Sequence, residues 1–390
     1  MNITAIKEYL IYVDVSESGF VGGKNWLLVK IETDEGVNGW GEAYCVPDRE
    51  VAIAQIVREL ARYLLGWNPF NVKHFYQMVY NDFAARRASL ELYCAISGIE
   101  QAMWDVLGKY LDQPVYNLLG GPLRSKIRVY ANGWSSGANS PEEMVQKAVA
   151  VVEKGFNALK FDPFPGRWRT FVPIEHETMA VENVRAVREA VGPNIDLLVE
   201  THRRLAPMHI VRFAREIEQY TPYWLEEPVP AENVDALAEV RGKTRIPVVT
   251  GETFYSKMPF REVLEKRAAD IINPDVCICG GILELKEIAA LAETHYVAVS
   301  PHNYNSTTIG LAATIQVSAI IPNFVITEYF VNFAEMGNAI SIHPFQVEDG
   351  YIKIPTTAGL GFEVNEEILQ DYSWRSHPIR RFPTLDEERV

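Results

Sequence analysis

One pattern governs the chain from about residue 126 to about residue 327: a short run dense in Val, Ile or Leu, a helical stretch, then the next short run. Eight such runs are read, at 127–131, 158–161, 195–199, 223–225, 248–250, 271–273, 297–300 and 325–327. Most lack strict apolar–polar alternation, which is how parallel strands buried on both faces read. One helix start is fully spelled out, with Ser140 as cap, Pro141 at the first helical position and Glu143 at the third. Eight strand–helix units predict an α/β fold with a (β/α) barrel of the TIM type, modified, with seven or eight strand units. Periodicity alone leaves an open doubly wound sheet as the rival. The absence of GxGxxG after the first run counts against it.

Residues 1–122 read differently. A strand-like stretch, 4–15, meets a glycine-rich loop, 16–25, with Gly19, Gly22 and Gly23. An alternating run, 26–33, turns at Asp34-Glu35-Gly36 into a return strand, 37–44. Helical stretches follow at 50–65, 72–84 and 90–109, giving an α+β unit. The expected organisation is a capping domain over 1–122, a catalytic barrel over 123–358 and a C-terminal segment, 359–390, that packs back on the cap.

Composition bounds the function. With 390 residues the chain can bury a large core without disulfide or metal staples. Cys45, Cys94, Cys277 and Cys279 form no CxxC pair and no zinc spacing, and read as packed residues of a protein kept in the reducing cytoplasm. The first fifteen residues include Glu8 and Asp14 and do not read as a signal peptide. No run of about 18 apolar residues occurs, so no membrane span is expected. A net charge of −14 argues against nucleic acid as a partner, yet leaves small anions open, because a local cation overrides the global field.

Ionisable groups follow the apolar runs seven times in succession: Lys160-Phe161-Asp162, Glu200, Glu226, Glu252, Asp275, His302 and Glu328. Each alone reads as a helix cap or surface charge. In a barrel all of these strand ends lie on one face, the face that carries active sites. Glu200, Glu226 and Glu252 are each 26 residues apart, one strand–helix repeat, which predicts equal depth on three adjacent strands. Three converging anions need a cation, and hard oxygen ligands suit Mg²⁺. Glu227 is an alternative to Glu226, with register favouring Glu226. Asp275 and His302 fall on neighbouring strands, where a carboxylate can fix the imidazole tautomer and raise its basicity. Glu328, one unit on, is placed to hydrogen-bond a substrate oxygen.

With these residues in hand, the chain resembles the enolase superfamily, mandelate racemase subgroup, over cap, barrel and tail. The resemblance implies that Mg²⁺ grips a substrate carboxylate, a base removes the α-proton, and the charge that builds on the carboxylate oxygens is neutralised. Racemase-like members carry Lys-x-Lys where this chain has Lys160-Phe161-Asp162, which removes a second base and weakens a racemase reading. Glu200-Thr201-His202-Arg203-Arg204 is similar to the acid-x-His-Gly-Arg stretch of galactonate and gluconate dehydratases, with Arg203 where glycine is usual. Lys160–Phe164 and Val129–Trp134 are similar to the same group.

The implied enzyme is an aldonate dehydratase that converts a 2,3-dihydroxy acid to a 2-keto-3-deoxy acid, with a small sugar acid as partner and a symmetric homo-oligomer as assembly. His302, held by Asp275, would remove the C2 proton. His202 would protonate the departing 3-hydroxyl. Lys160 and Glu328 would stabilise the enediolate, and Asp162 belongs to the same catalytic group. The glycine-rich loop matches a mobile cap loop, so Lys24, Asn25 and Trp26, with Arg204, are assigned to substrate. Arg167 and Arg169, flanking Trp168, suit substrate contact or a solvated loop equally. A racemase, epimerase or cycloisomerase on the same scaffold is the alternative, and a non-catalytic sugar-acid binder the third.

Overall fold

The computed structural model describes residues 1–15, 23–166, 169–379 and 381–387. Residues 16–22, Arg167 and Trp168 lie outside the described residues, and with them most of the lid loop and the Arg167–Trp168 contact.

The first sheet is antiparallel in the order β1 (Ile3–Val13), β2 (Lys24–Thr33), β3 (Asn38–Ala43). Gly36, at φ 78°, supplies the left-handed residue of the β2–β3 turn. Helices follow at Glu50–Leu64, Val72–Val79 and Leu90–Tyr110. The expected 72–84 is helical throughout, the backbone widening into a π turn over Tyr80–Ala84. The third starts on Ser89, whose hydroxyl accepts from the Leu92 amide at 3.2 Å. It lies so close on β3 that side chains are excluded. A Cβ on Gly41 would sit 1.9 Å from the Gly98 carbonyl oxygen, and one on Gly39 would sit 2.3 Å from that of Ala102.

The second sheet contains β4 (Lys126–Asn132), β5 (Ala158–Phe161), β6 (Asp196–Glu200), β7 (Trp224–Glu226), β8 (Val248–Thr250), β9 (Ile271–Ile272), β10 (Ala298–Val299) and β11 (Thr327–Phe330). They stand parallel in chain order, and β11 returns to pair with β4. The remaining gap is bridged by Val299 N to Asn323 O at 2.8 Å and Val325 N to Val299 O at 3.0 Å. The fold is therefore a closed eight-stranded (β/α) barrel. The eighth run, 325–327, spans both pairings: Val325 bonds β10, and pairing with β4 begins at Thr327. Ser140 caps the helix Pro141–Glu153, accepting from the Glu143 amide. A further strand, β12 (Tyr351–Lys353), pairs antiparallel with the start of β4.

The C-terminal segment lies on the first sheet. Tyr372 O accepts from Tyr12 N at 3.1 Å, Glu366 pairs with Lys30 at 2.7 Å, and His377 lies 2.7 Å from Glu50. Among the described residues no helix is long and apolar enough to cross a membrane.

Side chains alternate along a strand, and this decides what fills the barrel. Tyr130, Ala158, Leu198, Trp224, Val249, Ile271 and Ile326 form one apolar cluster, each from a different strand or its approach. Two residues further along are Asn132, Lys160, Glu200, Glu226, Gly251, Asn273 and Glu328. An apolar plug thus carries a polar layer on its C-terminal side.

The glycine contacts give a stability test. Gly41→Ala is expected to lower stability by about 3 kcal/mol, the upper range of overpacking. Gly242→Ala, where an added Cβ meets nothing within 4 Å, should raise it by about 0.5 kcal/mol. Urea midpoints check the pair, and an unchanged midpoint for Gly41→Ala refutes the packing account.

Candidate active site

Glu200 and Glu226 end β6 and β7 and are directly paired across the sheet. Glu252 is not at the same depth, as equal spacing had suggested. Glu226 stands opposite Val249, so Glu252 comes three residues beyond that register, in the loop after β8. Gly251, at φ 132°, allows the chain to turn there, and a Cβ on it would meet the Phe260 ring at 2.6 Å. Buried ligand oxygens of Glu200, Glu226 and Glu252 nonetheless lie within 4.8 Å of one another. One oxygen each of Glu200 and Glu226 is buried without a hydrogen-bond partner. Converging carboxylate oxygens that no donor satisfies fit a hard divalent cation. Among the described residues no other group of three acidic, His or Cys side chains converges in this way.

Two cations offset part of this charge. Lys160 Nζ lies 2.9 Å from Glu226, 3.2 Å from Glu328 and 3.7 Å from Glu200. Burial works against its charge, but Glu226 and Glu328 outweigh it and hold its pKa well above the usual lysine value. Arg203 pairs with Glu252 and reaches to 3.9 Å from Glu227. Burial, then the neighbouring Glu200, pushes Glu226 far above the usual carboxylate range. Glu252 moves the other way: burial opposes its charge, and Arg203 and His302 overcome that. Glu227, at φ 46°, turns off the sheet, and its carboxylate accepts from Thr250 Oγ1 at 3.0 Å and Gly251 N at 2.8 Å. It braces the loop that carries Glu252, and Glu226 faces the triad.

Two imidazoles flank the triad, each with its Nδ1 on an aspartate. His302 Nδ1 lies 2.7 Å from Asp275 Oδ2, and its Nε2 faces Glu328 at 3.3 Å and Glu252 at 3.4 Å. His202 Nδ1 lies 2.7 Å from Asp162 Oδ2, and Arg204 pairs with the other Asp162 oxygen. With Nδ1–H given to the aspartate, Nε2 is the reactive nitrogen of each ring. Burial disfavours both imidazolium forms. Glu328 and Glu252 overcome it at His302, Glu200 and Asp162 at His202, and both pKa values are raised. His202 follows β6 and His302 follows β10, four strands apart in a ring of eight, so the two approach from opposite sides of the mouth. His202 and Arg203 both have positive φ, 50° and 61°. The backbone at Arg203 thus adopts the left-handed shape that glycine would take.

The remaining assignments divide. Lys24 is buried against the Tyr304 ring, its Nζ 3.6 Å from the centroid, and donates to the Tyr304 carbonyl, two residues past His302. Burial lowers its pKa to about 8. Asn25 is not brought to the carboxylates: its amide donates to Glu50 at 3.0 Å and to the tail carbonyl of Arg375 at 3.0 Å. Trp26 is buried in the core, edge-on to Phe333. Arg204 reaches Asp162 and the Phe164 carbonyl.

Several members of the site were missed. Asn273 donates to Glu226 at 2.9 Å and Asn132 to Glu328 at 2.5 Å. Both follow apolar runs, so the strand-end rule would have found them had it been extended to amides. Asn305, which donates to both Asp275 oxygens at 2.9 and 3.0 Å, carries no comparable signal.

A closed barrel with a buried carboxylate triad and aspartate-held imidazoles at the carboxyl ends of its strands defines a class of enzyme that handles acidic carbon next to a carboxylate. Residues 143–368 match the family model of enolase C-terminal domain-like proteins, and residues 13–120 match that of the mandelate racemase / muconate lactonizing enzyme N-terminal domain. The chain belongs to the enolase superfamily, mandelate racemase subgroup. It is 36% identical over 349 residues to a D-gluconate dehydratase of Thermoproteus tenax, covering 89% of this chain and 69% of the relative. It is 34% identical over 386 residues to a D-xylonate dehydratase of Haloferax volcanii, covering 96% and 90%. A mandelate racemase/muconate lactonizing enzyme-like protein from Roseovarius sp. TM1035 superposes with a TM-score of 0.88 at 32% identity, over 98% of this chain and 99% of that one.

The triad predicts a graded loss of metal affinity. Glu226→Gln should weaken divalent-ion binding by more than about 100-fold, and Asn273→Ala, which only removes a support of Glu226, by about 10-fold. Calorimetric titration of EDTA-stripped protein measures both. Equal effects would mean that Glu226 is not a ligand.

Proposed function

We propose that this chain is an aldonate dehydratase of the gluconate or galactonate class, acting with Mg²⁺ held by Glu200, Glu226 and Glu252. The observation that carries the reading is the second aspartate–imidazole pair. One such pair suffices to move a proton on carbon, whereas elimination of a hydroxyl also needs a proton donor to oxygen. The relatives named D-gluconate and D-xylonate dehydratases support it.

The carbon acid is weak, and when bound the ion supplies positive charge at the substrate carboxylate as its α-carbon loses a proton. His302 Nε2 takes the C2 proton, and Asp275 keeps the opposite ring nitrogen protonated and so directs the bare one at carbon. The electron pair left on C2 flows into the carboxylate as an enediolate. Lys160, held ionised by its neighbours, faces that charge, and Glu328, whose carboxyl, against its burial, Lys160 and His302 hold below the usual range, anchors Lys160 there. When the pair returns, the C3–O bond breaks and His202 Nε2 gives its proton to the departing hydroxyl, which leaves as water. The enol product tautomerises to a 2-keto-3-deoxy acid. Asp162 acts through His202, holding its ring, with Arg204 holding Asp162 in turn. The reading assigns Lys24 to the distal end of the sugar acid. The reading extends to a cytoplasmic homo-oligomer, which light scattering and cell fractionation check.

A panel of aldonates and diacid sugars with Mg²⁺, scored for keto acid, should give turnover with a six-carbon aldonate. No keto acid from any member overturns the reading. Two variants separate the roles. His302→Asn should abolish both dehydration and exchange of the C2 hydrogen in D₂O. His202→Asn should cut keto-acid formation by about 10²-fold or more while C2 exchange continues. Full dehydration by His202→Asn removes its assigned role.

A further inference from the structure

The capping unit reaches into the barrel mouth through buried polar side chains, and they converge on the two loops that carry Asp275 and His302. Ser97 Oγ accepts from Gly280 N at 3.0 Å. Glu100 accepts from Ile282 N at 2.7 Å and Leu283 N at 3.0 Å, capping a barrel helix from the other unit. Gln101 donates to Val276 O at 3.2 Å and to Glu42 O at 3.0 Å.

Glu42, on β3, goes further. It is 1% exposed. One of its oxygens accepts from Gly310 N at 2.8 Å and from Ser306 Oγ at 2.5 Å. Ser306 Oγ in turn accepts from Thr308 N at 3.0 Å. These bonds hold the loop 303–308 and the start of the helix Ile309–Ser318 against the cap. A Cβ on Gly310 would lie 2.8 Å from that of Asn305 and 3.0 Å from the Glu42 oxygen, so the fit admits glycine alone. Inside this segment, Asn305 donates to both oxygens of Asp275 and to Asn303 Oδ1 at 3.2 Å. Asn303 N donates to Glu328 at 2.9 Å.

We propose that Glu42 is a positioning residue for proton abstraction: from the cap side it fixes the 303–310 segment, whose Asn305 sets Asp275 and whose Asn303 sets Glu328, so that His302 Nε2 is aimed at the substrate carbon. The Glu42 carboxylate offers a single oxygen to two donors of one segment, and that segment begins next to the base. The path is short and direct: Glu42, Ser306 and Gly310, Asn305, Asp275, His302. The barrel thereby depends on the cap for the aim of its base as well as for covering the mouth.

The inference rests on His302 being the base, and the test keeps the two separable. Glu42→Ala, Glu42→Gln and Ser306→Ala are compared in the Mg²⁺-loaded protein by kcat, KM, Mg²⁺ Kd and the ¹⁵N–¹H signal of the His302 Nδ1–H, assigned with His302→Asn. Glu42→Ala should lower kcat about 100-fold, the scale of a 1 Å misplacement of a reacting group, with KM and Mg²⁺ Kd within about threefold. The hydrogen-bonded Nδ1–H signal should broaden or vanish. Glu42→Gln keeps an acceptor oxygen and should recover kcat to within about fivefold, with the signal restored. Ser306→Ala, a smaller change, should lower kcat about tenfold in the same pattern, and it reads the proposal if Glu42→Ala does not fold. An unaltered His302 signal overturns the proposal, as does a kcat loss matched in Mg²⁺ Kd or a Gln variant no better than Ala. If the parent turns over no sugar acid, the function reading fails, and the imidazole signal alone still decides the role of Glu42.

Discussion

Five glutamate carboxylates share the mouth of one barrel, and their mutual repulsion is the constraint around which the rest is arranged. Glu200, Glu226, Glu227, Glu252 and Glu328 are all at least nine-tenths buried. Lys160 meets three of them and Arg203 the other two. Two positive charges against five negative ones leave a deficit that a divalent ion is suited to fill. The opposite shifts of Glu226 and Glu252 follow from the same imbalance. Glu226 has another carboxylate as its strongest influence after burial, and Glu252 has a guanidinium. Such a centre is stable only on a rigid support. The apolar plug beneath it, with Tyr130 edge-on to Trp224 at 5.5 Å, keeps water from undercutting the polar layer.

The two halves of the molecule divide the task. The barrel sets which side chains are present at the mouth, through strand period and register. The cap sets how some of them point, through Glu42, Ser97, Glu100 and Gln101, all buried. This explains the close seating of Leu90–Tyr110 on β3, where Gly39 and Gly41 leave no room for side chains. A helix held that near the sheet brings Gln101 to the β3 backbone and Glu100 to the start of a barrel helix at once. The C-terminal segment closes the arrangement by tying Asn25 and Glu50 to His377 and Arg375.

What was legible in the sequence was what strand geometry dictates. Buried parallel strands announce themselves by composition, and the polar residue after each marks the barrel mouth, so Lys160, Glu200, Glu226, Asp275, His302 and Glu328 could be read as neighbours. The turn at Gly251 could not: equal 26-residue spacing suggested equal depth for Glu252, while the register puts it in the following loop. The helical stretch 72–84 was legible, but its π turn at Tyr80–Ala84 has no signature in composition. Asn25 and Trp26 were placed by their nearness to a loop, but the alternation of β2 and the returning tail send them elsewhere. Glu42 and Asn305 left no trace, because their partners are 264 and 30 residues away in sequence and no local pattern encodes such a contact.

Asp162 shows how a small change at a fixed position redirects chemistry. It follows β5 directly, where racemase-like members of the subgroup place a second lysine base. A lysine there would offer a proton-carrying nitrogen to the face of carbon opposite His302. Asp162 offers a fixed negative charge, and it is occupied: one oxygen holds His202 Nδ1 and the other Arg204. On the proposed mechanism the proton donor is His202, carried by the next strand two residues past Glu200, its amide donating to the Glu200 carboxylate at 2.6 Å. Aspartate at 162 leaves no second lysine base beside Lys160 and orients the His202 ring instead.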